Sequence, residues 1–334
     1  MLVSDFNYEL PDERIAKFPP EERGTTRLLV LDRNNGVIVD SHYRNLDEFL
    51  NPGDIIILND TRVMKSRVFT TLPDGREREL VVLEKHGEEK QRVMYRGKLH
   101  NSDVLTIKGS DKKVTITQIL GNGIAEVESE IDLDVVTEKF GTVPLPPYLH
   151  RDATESDTNR YQTVWAKNMG SAAAPTASLN MTDELLARLK AKGIKVYYLT
   201  LHVGLGTFLP IRTDNIEDHK MHSEWFCIPG ETVEAIKTAK QSGHRVVSVG
   251  TTVARTLEYY AKTGKTSGED DIFIYPGFKF ELIDALLTNF HAPKSTVLML
   301  ASAFAGWDHL KNAYDHAVEA KYDFLSYGDS MFIH

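Results

Sequence analysis

Four short segments gather carboxylate, hydroxyl, amide or imidazole groups in patterns that suit ligand chemistry. The first, Asn59-Asp60-Thr61-Arg62, sets a carboxylate and a cation directly after an apolar run. The second, Leu201 to Phe208, carries His202 beside Gly204 and Gly206, then Thr207 and Phe208; its glycines would let backbone approach a ligand closely. It is not a dinucleotide fingerprint, because Leu209 stands where G-x-G-x-x-G needs its third glycine. The third, Val249-Gly250-Thr251-Thr252, joins a strand pattern to a helix pattern, where free helix amides and two hydroxyls would hold a phosphate, carboxylate or ribose oxygen. Arg255 lies one turn on. The fourth, Leu287 to Ser295, places Asn289, Phe290 and His291 ahead of an apolar helix, and an aromatic beside amide and imidazole groups would receive a purine. Each also has a purely structural reading: a histidine bonded to backbone, a capped helix with Arg255 in a salt bridge, a core phenylalanine.

Two further groupings carry weaker chemistry. His219 and His222 with Glu224 invite zinc, but the spacing is not H-E-x-x-H and no cysteine pair accompanies them, so no metal site is expected. Lys85, Lys90, Arg92, Arg96 and Lys98 would face RNA, or form a solvated face, since they alternate with acids.

The elements that must position these groups follow from periodicity. Asp54 to Leu58 is a compact apolar run after the turn Asn51-Pro52-Gly53 and reads as a buried strand. From about Ser66 to Ile131 the texture changes to short alternating segments such as Val114-Thr115-Ile116-Thr117, punctuated by turns, the pattern of small antiparallel sheets and barrels. Pro144-Leu145-Pro146-Pro147-Tyr148 can continue neither strand nor helix and marks a connection out of that region. Helix and strand patterns then alternate: a helix capped by Thr182 and stopped at Gly193, a strand over Ile194 to Val203, a helix over Glu231 to Gln241, a strand over Arg245 to Val249 and a helix over Val253 to Lys262. The expected fold is a layered α/β domain, residues 1–65 and 150–334, interrupted by an inserted small antiparallel β-barrel domain, residues 66–149. In open α/β sheets ligands collect beyond the carboxyl ends of strands, where the four segments fall.

Composition agrees with a folded enzyme-sized protein: 334 residues, 41% apolar and 26% charged. With 39 Lys and Arg against 48 Asp and Glu, the formal charge of −9 disfavours diffuse, charge-driven nucleic-acid binding, so any RNA contact must come from a local basic face. The single cysteine, Cys227, allows no intrachain disulfide and fits a reducing compartment. No apolar stretch approaches the roughly 20 residues of a spanning helix, and Met1 to Leu10 lacks a signal-peptide pattern. A cytoplasmic location without membrane association is expected.

Taken together, the segments resemble in order and spacing the S-adenosylmethionine:tRNA ribosyltransferase-isomerase family of queuosine biosynthesis. The resemblance runs from Asp5-Phe6-Asn7-Tyr8-Glu9-Leu10-Pro11 through Asn59-Asp60-Thr61-Arg62-Val63, Leu145-Pro146-Pro147-Tyr148, Arg160-Tyr161-Gln162 and Ala173-Ala174-Pro175-Thr176-Ala177. It continues through Leu201-His202-Val203-Gly204, Gly206-Thr207-Phe208, Met221-His222-Ser223-Glu224, Val249-Gly250-Thr251-Thr252, Thr288-Asn289-Phe290-His291 and Ser326-Tyr327-Gly328-Asp329-Ser330-Met331. One departure is visible: where the family reads A-P-T-A-G-L-H-F-T, this chain has Ser178, Asn180 and Met181, so position 180 can hydrogen-bond but not titrate.

The resemblance implies transfer and isomerisation of the ribosyl group of S-adenosylmethionine onto the aminomethyl-deazaguanine at the tRNA wobble position, giving epoxyqueuosine-tRNA, adenine and methionine. S-adenosylmethionine is then the ribosyl-donating substrate, no metal is needed, and the macromolecular partner is tRNA with the precursor base in its anticodon loop. A monomer is expected. The sulfonium acidifies the adjacent C5′ hydrogen, and a base must remove it. His202 ranks first for that role, His291 second, with His222, Glu224 and Asp60 as the other catalytic candidates. Substrate binding falls to Asn59, Thr61 and Arg62, to Arg160, Tyr161 and Gln162, and to Pro175 and Thr176. It falls also to Gly204, Gly206, Thr207 and Phe208, to Gly250, Thr251, Thr252 and Arg255, and to Asn289 and Phe290. Two other classes compete: a noncatalytic RNA-binding protein, which would bind RNA without consuming S-adenosylmethionine, and a metal-dependent hydrolase, which would lose activity in chelator.

Overall fold

The computed structural model describes residues 1–83, 90–121, 123–204 and 211–334. A hairpin, β1 (Arg27–Leu31) and β2 (Ile38–His42), leads through a 3-10 segment, Tyr43–Phe49, into β3 (Ile55–Asn59) and the short β4 (Thr61–Val63). Then come β5 (Arg67–Thr71), β6 (Glu77–Val82), β7 (Arg92–Tyr95), β8 (Val104–Ile107), β9 (Lys113–Gly121) and β10 (Ile124–Ser129), followed by α1 (Leu133–Phe140) and α2 (Glu155–Arg160). Helices and strands alternate through β11 (Asn168–Ser171), α3 (Asp183–Ala191), β12 (Lys195–Leu201), β13 (Glu224–Cys227), α4 (Gly230–Gln241), β14 (Val246–Val249) and α5 (Thr251–Thr263). The chain finishes with β15 (Ser267–Asp270), β16 (Ala285–Asn289), α6 (Thr296–Ala305), α7 (Trp307–Glu319) and β17 (Ser330–Ile333).

Among the described residues, nine strands form one mixed sheet in the order β15-β13-β12-β3-β14-β16-β17-β1-β2. Its middle is parallel, β3 lying between β12 and β14, with β16 parallel to β14. Every residue of β3 is buried, which requires cover on both faces, and the period of two supplies it. Ile55 and Ile57 join one core with α4, α5, α6 and α7; Ile56 and Leu58 join another with α3 and the 3-10 segment. Thr182 caps α3 through its hydroxyl, which accepts from the Leu185 N–H, and Ser295 caps α6 the same way from Leu298.

Strands β5 to β10 close into a barrel in the order β10-β7-β6-β5-β8-β9. Val114 and Ile116 of the alternating segment point into it beside Val68, Leu80, Val93 and Val127, and α1 adds Leu133 and Val136 to that core. The layered α/β sheet with a barrel interrupting it is therefore the fold of the chain. Sequence periodicity did not resolve α1, α7 or the β1, β2 and β17 edge: these elements are short or draw their apolar residues together only across the sheet. Strands β4 and β11 pair in parallel between sheet and barrel.

Candidate active site

A cavity of about 440 Å³ opens beyond the carboxyl ends of β14 and β16, where a parallel sheet leaves its strand ends free. From the β14 side come Gly250, Thr251 and Thr252 at the start of α5. Gly250 has φ 94°, a conformation that suits glycine, and no side chain caps the helix, so its first-turn amides face an end with positive potential. From the β16 side come Thr288 to Ser295, and the opposite wall is Ala173 to Ala177 with Val203 and Tyr148.

His291 is the one imidazole among the described lining residues, and no lining residue there carries a carboxylate. Its Nε2 meets Thr288 Oγ1 at 2.8 Å. Its backbone is clamped: the N–H donates to the Tyr314 hydroxyl at 2.9 Å, and its carbonyl accepts from Tyr8. Burial pushes its pKa down to about 3, so the imidazole is neutral at ordinary pH. Asn289, 3% exposed, has its Oδ1 buried without a hydrogen-bond partner among the described residues. At the rim Lys294 adopts φ 58° and anchors its backbone N–H on the Phe6 carbonyl at 2.8 Å.

Of the residues expected from sequence, Pro175, Thr176, Gly250, Thr251, Thr252, Asn289, Phe290 and His291 line this cavity. Phe290 is fully buried with its ring packed on Tyr314, Tyr322 and Phe324, so it is core as much as wall. The other described candidates lie elsewhere. His202 is buried, with Nδ1 2.8 Å from Thr61 Oγ1 and its ring stacked on Trp225 at 5.1 Å. Asn59 ties β3 to β12 through the Leu201 backbone, at 2.9 and 3.1 Å, and Asp60 accepts from Asn168 and Thr200. Arg62 is exposed, as is His222. Arg160 donates to the carbonyls of Pro20 and Glu21; Gln162 exchanges two hydrogen bonds with the Val63 backbone; Tyr161 is fully buried. These residues build the junction around β4 and β11.

Arg255 and Glu224 belong to a buried ionic triad. Arg255 pairs with Glu224 and, at 3.3 Å, with Asp270, whose pKa burial pushes up. Glu224 also accepts the Gly204 N–H at 2.8 Å, so the triad fixes the backbone leaving β12. Gly206, Thr207 and Phe208, with Lys85 of the basic group, lie outside the described residues. Among the described residues no cluster of His, Cys, Asp and Glu is suited to hold a metal, and no helix is long and apolar enough to cross a membrane.

Sequence reasoning did not single out Thr288, Lys294, Tyr148 or Ser326 as site residues. Tyr148 and Ser326 share a hydrogen bond at the cavity wall although they are 178 positions apart. Thr288 had a local signal, its i,i+3 spacing to His291 around a strand end.

A mixed α/β sheet interrupted by a barrel, with an apolar-walled cavity at its strand ends that carries threonine, asparagine and histidine side chains, defines a class of enzyme that binds a small molecule with polar groups. Within it, the chain belongs to the queuosine biosynthesis protein family, whose sequence model matches residues 3–333. S-adenosylmethionine:tRNA ribosyltransferase-isomerases from Pelodictyon phaeoclathratiforme and Chlorobium phaeobacteroides are 55% and 53% identical to it, with all of each chain covered. The crystal structure of S-adenosylmethionine tRNA ribosyltransferase from Thermotoga maritima shares the fold at a TM-score of 0.58 and 32% identity, covering 99% of this chain and all of that one.

Proposed function

We propose that this protein transfers and isomerises the ribosyl group of S-adenosylmethionine onto the aminomethyl-deazaguanine at the wobble position of tRNA, releasing adenine and methionine. Relatives of that name match the chain end to end, and the strand-end cavity supports the reading. Its volume falls within the roughly 300–1,000 Å³ of small-molecule sites. The hydroxyls of Thr176, Thr251 and Thr252 along the cavity wall suit the ribose and amino groups of S-adenosylmethionine. The uncapped start of α5 and the Lys294 ammonium suit its carboxylate.

When bound, the sulfonium supplies an acidified C5′ hydrogen and two leaving groups. The chain's part is then to orient the donor and accept that proton. His291 is the imidazole that lines the described cavity, with Nε2 on Thr288, so we assign it the general base, its basicity lowered by the same burial that keeps it neutral; His202, packed on Trp225 and bonded to Thr61, positions the β4 and β12 ends. Glu224, Arg255, Asn59, Asp60, Thr61 and Gln162 support the walls rather than touch substrate. We further propose that residues 66–149 act as an inserted domain, that the protein works as a monomer, and that it works in the cytoplasm, where its tRNA is found.

The test is incubation with S-adenosylmethionine and precursor-bearing tRNA in the presence of a chelator. Adenine and methionine should appear in equal amounts with the modified nucleoside. S-adenosylhomocysteine in their place would mean methyl transfer and overturn the assignment; RNA binding without either product would favour the noncatalytic alternative.

A further inference from the structure

A second and larger cavity, about 750 Å³, lies between the barrel and the proline-rich connection. Tyr95 at the end of β7 and Arg96 beyond it form one side, Pro144 to Tyr148 the other. Tyr148 lines both this cleft and the strand-end cavity, so the two spaces meet at one half-buried ring. Charge in the cleft runs against that of the molecule. The chain carries −9, yet Arg67, Arg96 and Arg151 converge here against Glu79 and Asp152. Two of these guanidiniums are held in place: Arg67 by Glu79 at 2.9 Å, and Arg151 by a two-pronged bond to the fully buried Asp157 at 2.7 and 2.8 Å. Arg96 is exposed and has no ion-pair partner among the described residues. Arg92, by contrast, faces Glu126 at 4.0 Å and does not line the cleft.

We infer that this cleft holds an unpaired RNA nucleotide adjacent to the one whose base enters the strand-end cavity, with its base against Tyr95, its phosphate on Arg96, and Tyr148 as the partition between neighbouring nucleotides. The inference rests on the tRNA-modifying reading above and adds to it which barrel face meets RNA. An open cleft with an aromatic surface and a free guanidinium is the arrangement that takes single-stranded nucleic acid, because every base has a face to stack and every phosphate a charge to meet. Rigid prolines opposite keep the cleft open without an ordering cost on binding.

The experiment measures, by fluorescence anisotropy at several salt concentrations, binding of a short hairpin RNA with the precursor base in its loop. Tyr95→Ala should weaken binding between about fivefold and about 150-fold, the range for loss of one base stack. Arg96→Glu should weaken it and lower the slope of log affinity against log salt by about 0.7, the share of one phosphate contact on a single strand. Lys112→Glu, a charge reversal on the same barrel away from the cleft, should bind like wild type. S-adenosylmethionine binding by calorimetry should be unchanged in all three. If Arg96→Glu fails to fold, Arg96→Gln decides by the same slope. Wild-type RNA affinity and salt slope in Tyr95→Ala and Arg96→Gln would overturn the inference. Wild-type protein that binds the hairpin yet releases no adenine would instead overturn the reading beneath it.

Discussion

At the residue scale the proposed base is His291, hydrogen-bonded to Thr288 at the cavity wall. If the imidazole takes the C5′ proton, His291→Ala should keep S-adenosylmethionine binding and lose turnover by roughly 10²- to 10⁴-fold, the usual range for a missing general base. Turnover and calorimetry on one preparation check this, and near-normal turnover would remove His291 from the role. Its protonation also makes a stability prediction. The folded pKa is depressed to about 3 against about 6.5 in an unfolded chain, so between those values the unfolded state binds the extra proton. Stability should therefore fall as pH drops through that window, by up to about 1.4 kcal/mol per pH unit from this group, and be unaffected by it above pH 6.5. Urea unfolding at pH 6.5 and pH 5 should show a smaller pH difference for His291→Gln than for wild type.

At the scale of elements, the site depends on groups that do not enter it. The start of α5 is held where it can offer its amides because Arg255, one turn later, is locked between Glu224 of β13 and Asp270 of β15. Removing the cation leaves two like charges close together in the interior. Arg255→Met should cost about 3–5 kcal/mol, measured by chemical denaturation, and a loss below about 1 kcal/mol would mean that the triad is not the clamp described. A tighter constraint joins β11 to β12. Gly170 has φ 151°, and a Cβ there would lie 2.6 Å from the His202 ring. Gly170→Ala should destabilise by about 1–3 kcal/mol and disturb the stacking of His202 on Trp225, visible as a change in tryptophan fluorescence.

Across the whole molecule, the barrel and the sheet keep separate apolar cores, one of Val68, Leu80, Val93, Ile116 and their neighbours, the others on the two faces of the nine-stranded sheet. A region with its own core opens as its own cooperative unit. Native-state hydrogen exchange should therefore group the amides of β5 to β10 at one opening free energy and those of β3, β12 and β14 at another. A single shared value would argue against an inserted domain. The separation also suits the division of labour proposed above, with a small-molecule cavity on the sheet and an RNA cleft along the barrel, meeting at Tyr148.

Local pattern was enough to read the barrel's alternation, the β3 run, the caps Thr182 and Ser295 and the position of α5, because each is set by neighbours within a turn or a strand. It was also enough to mark the Gly250 and Asn289 segments, since glycine and polar groups at strand ends stand out against apolar runs. What it could not decide is which marked residue faces the ligand. His202 and His291 both follow strands, yet His202 stacks on Trp225 and bonds to Thr61, while β16 beside β14 sets His291 at the cavity wall. Arg255 has a local place on α5, but its partners come from strands 31 and 15 residues away. Tyr148 reads as part of a connection, and only the return of the chain to Ser326 makes it a wall between two cavities. Secondary structure is written in short-range spacing, whereas a site is a meeting of strand ends whose order in space, β12-β3-β14-β16, differs from their order in sequence.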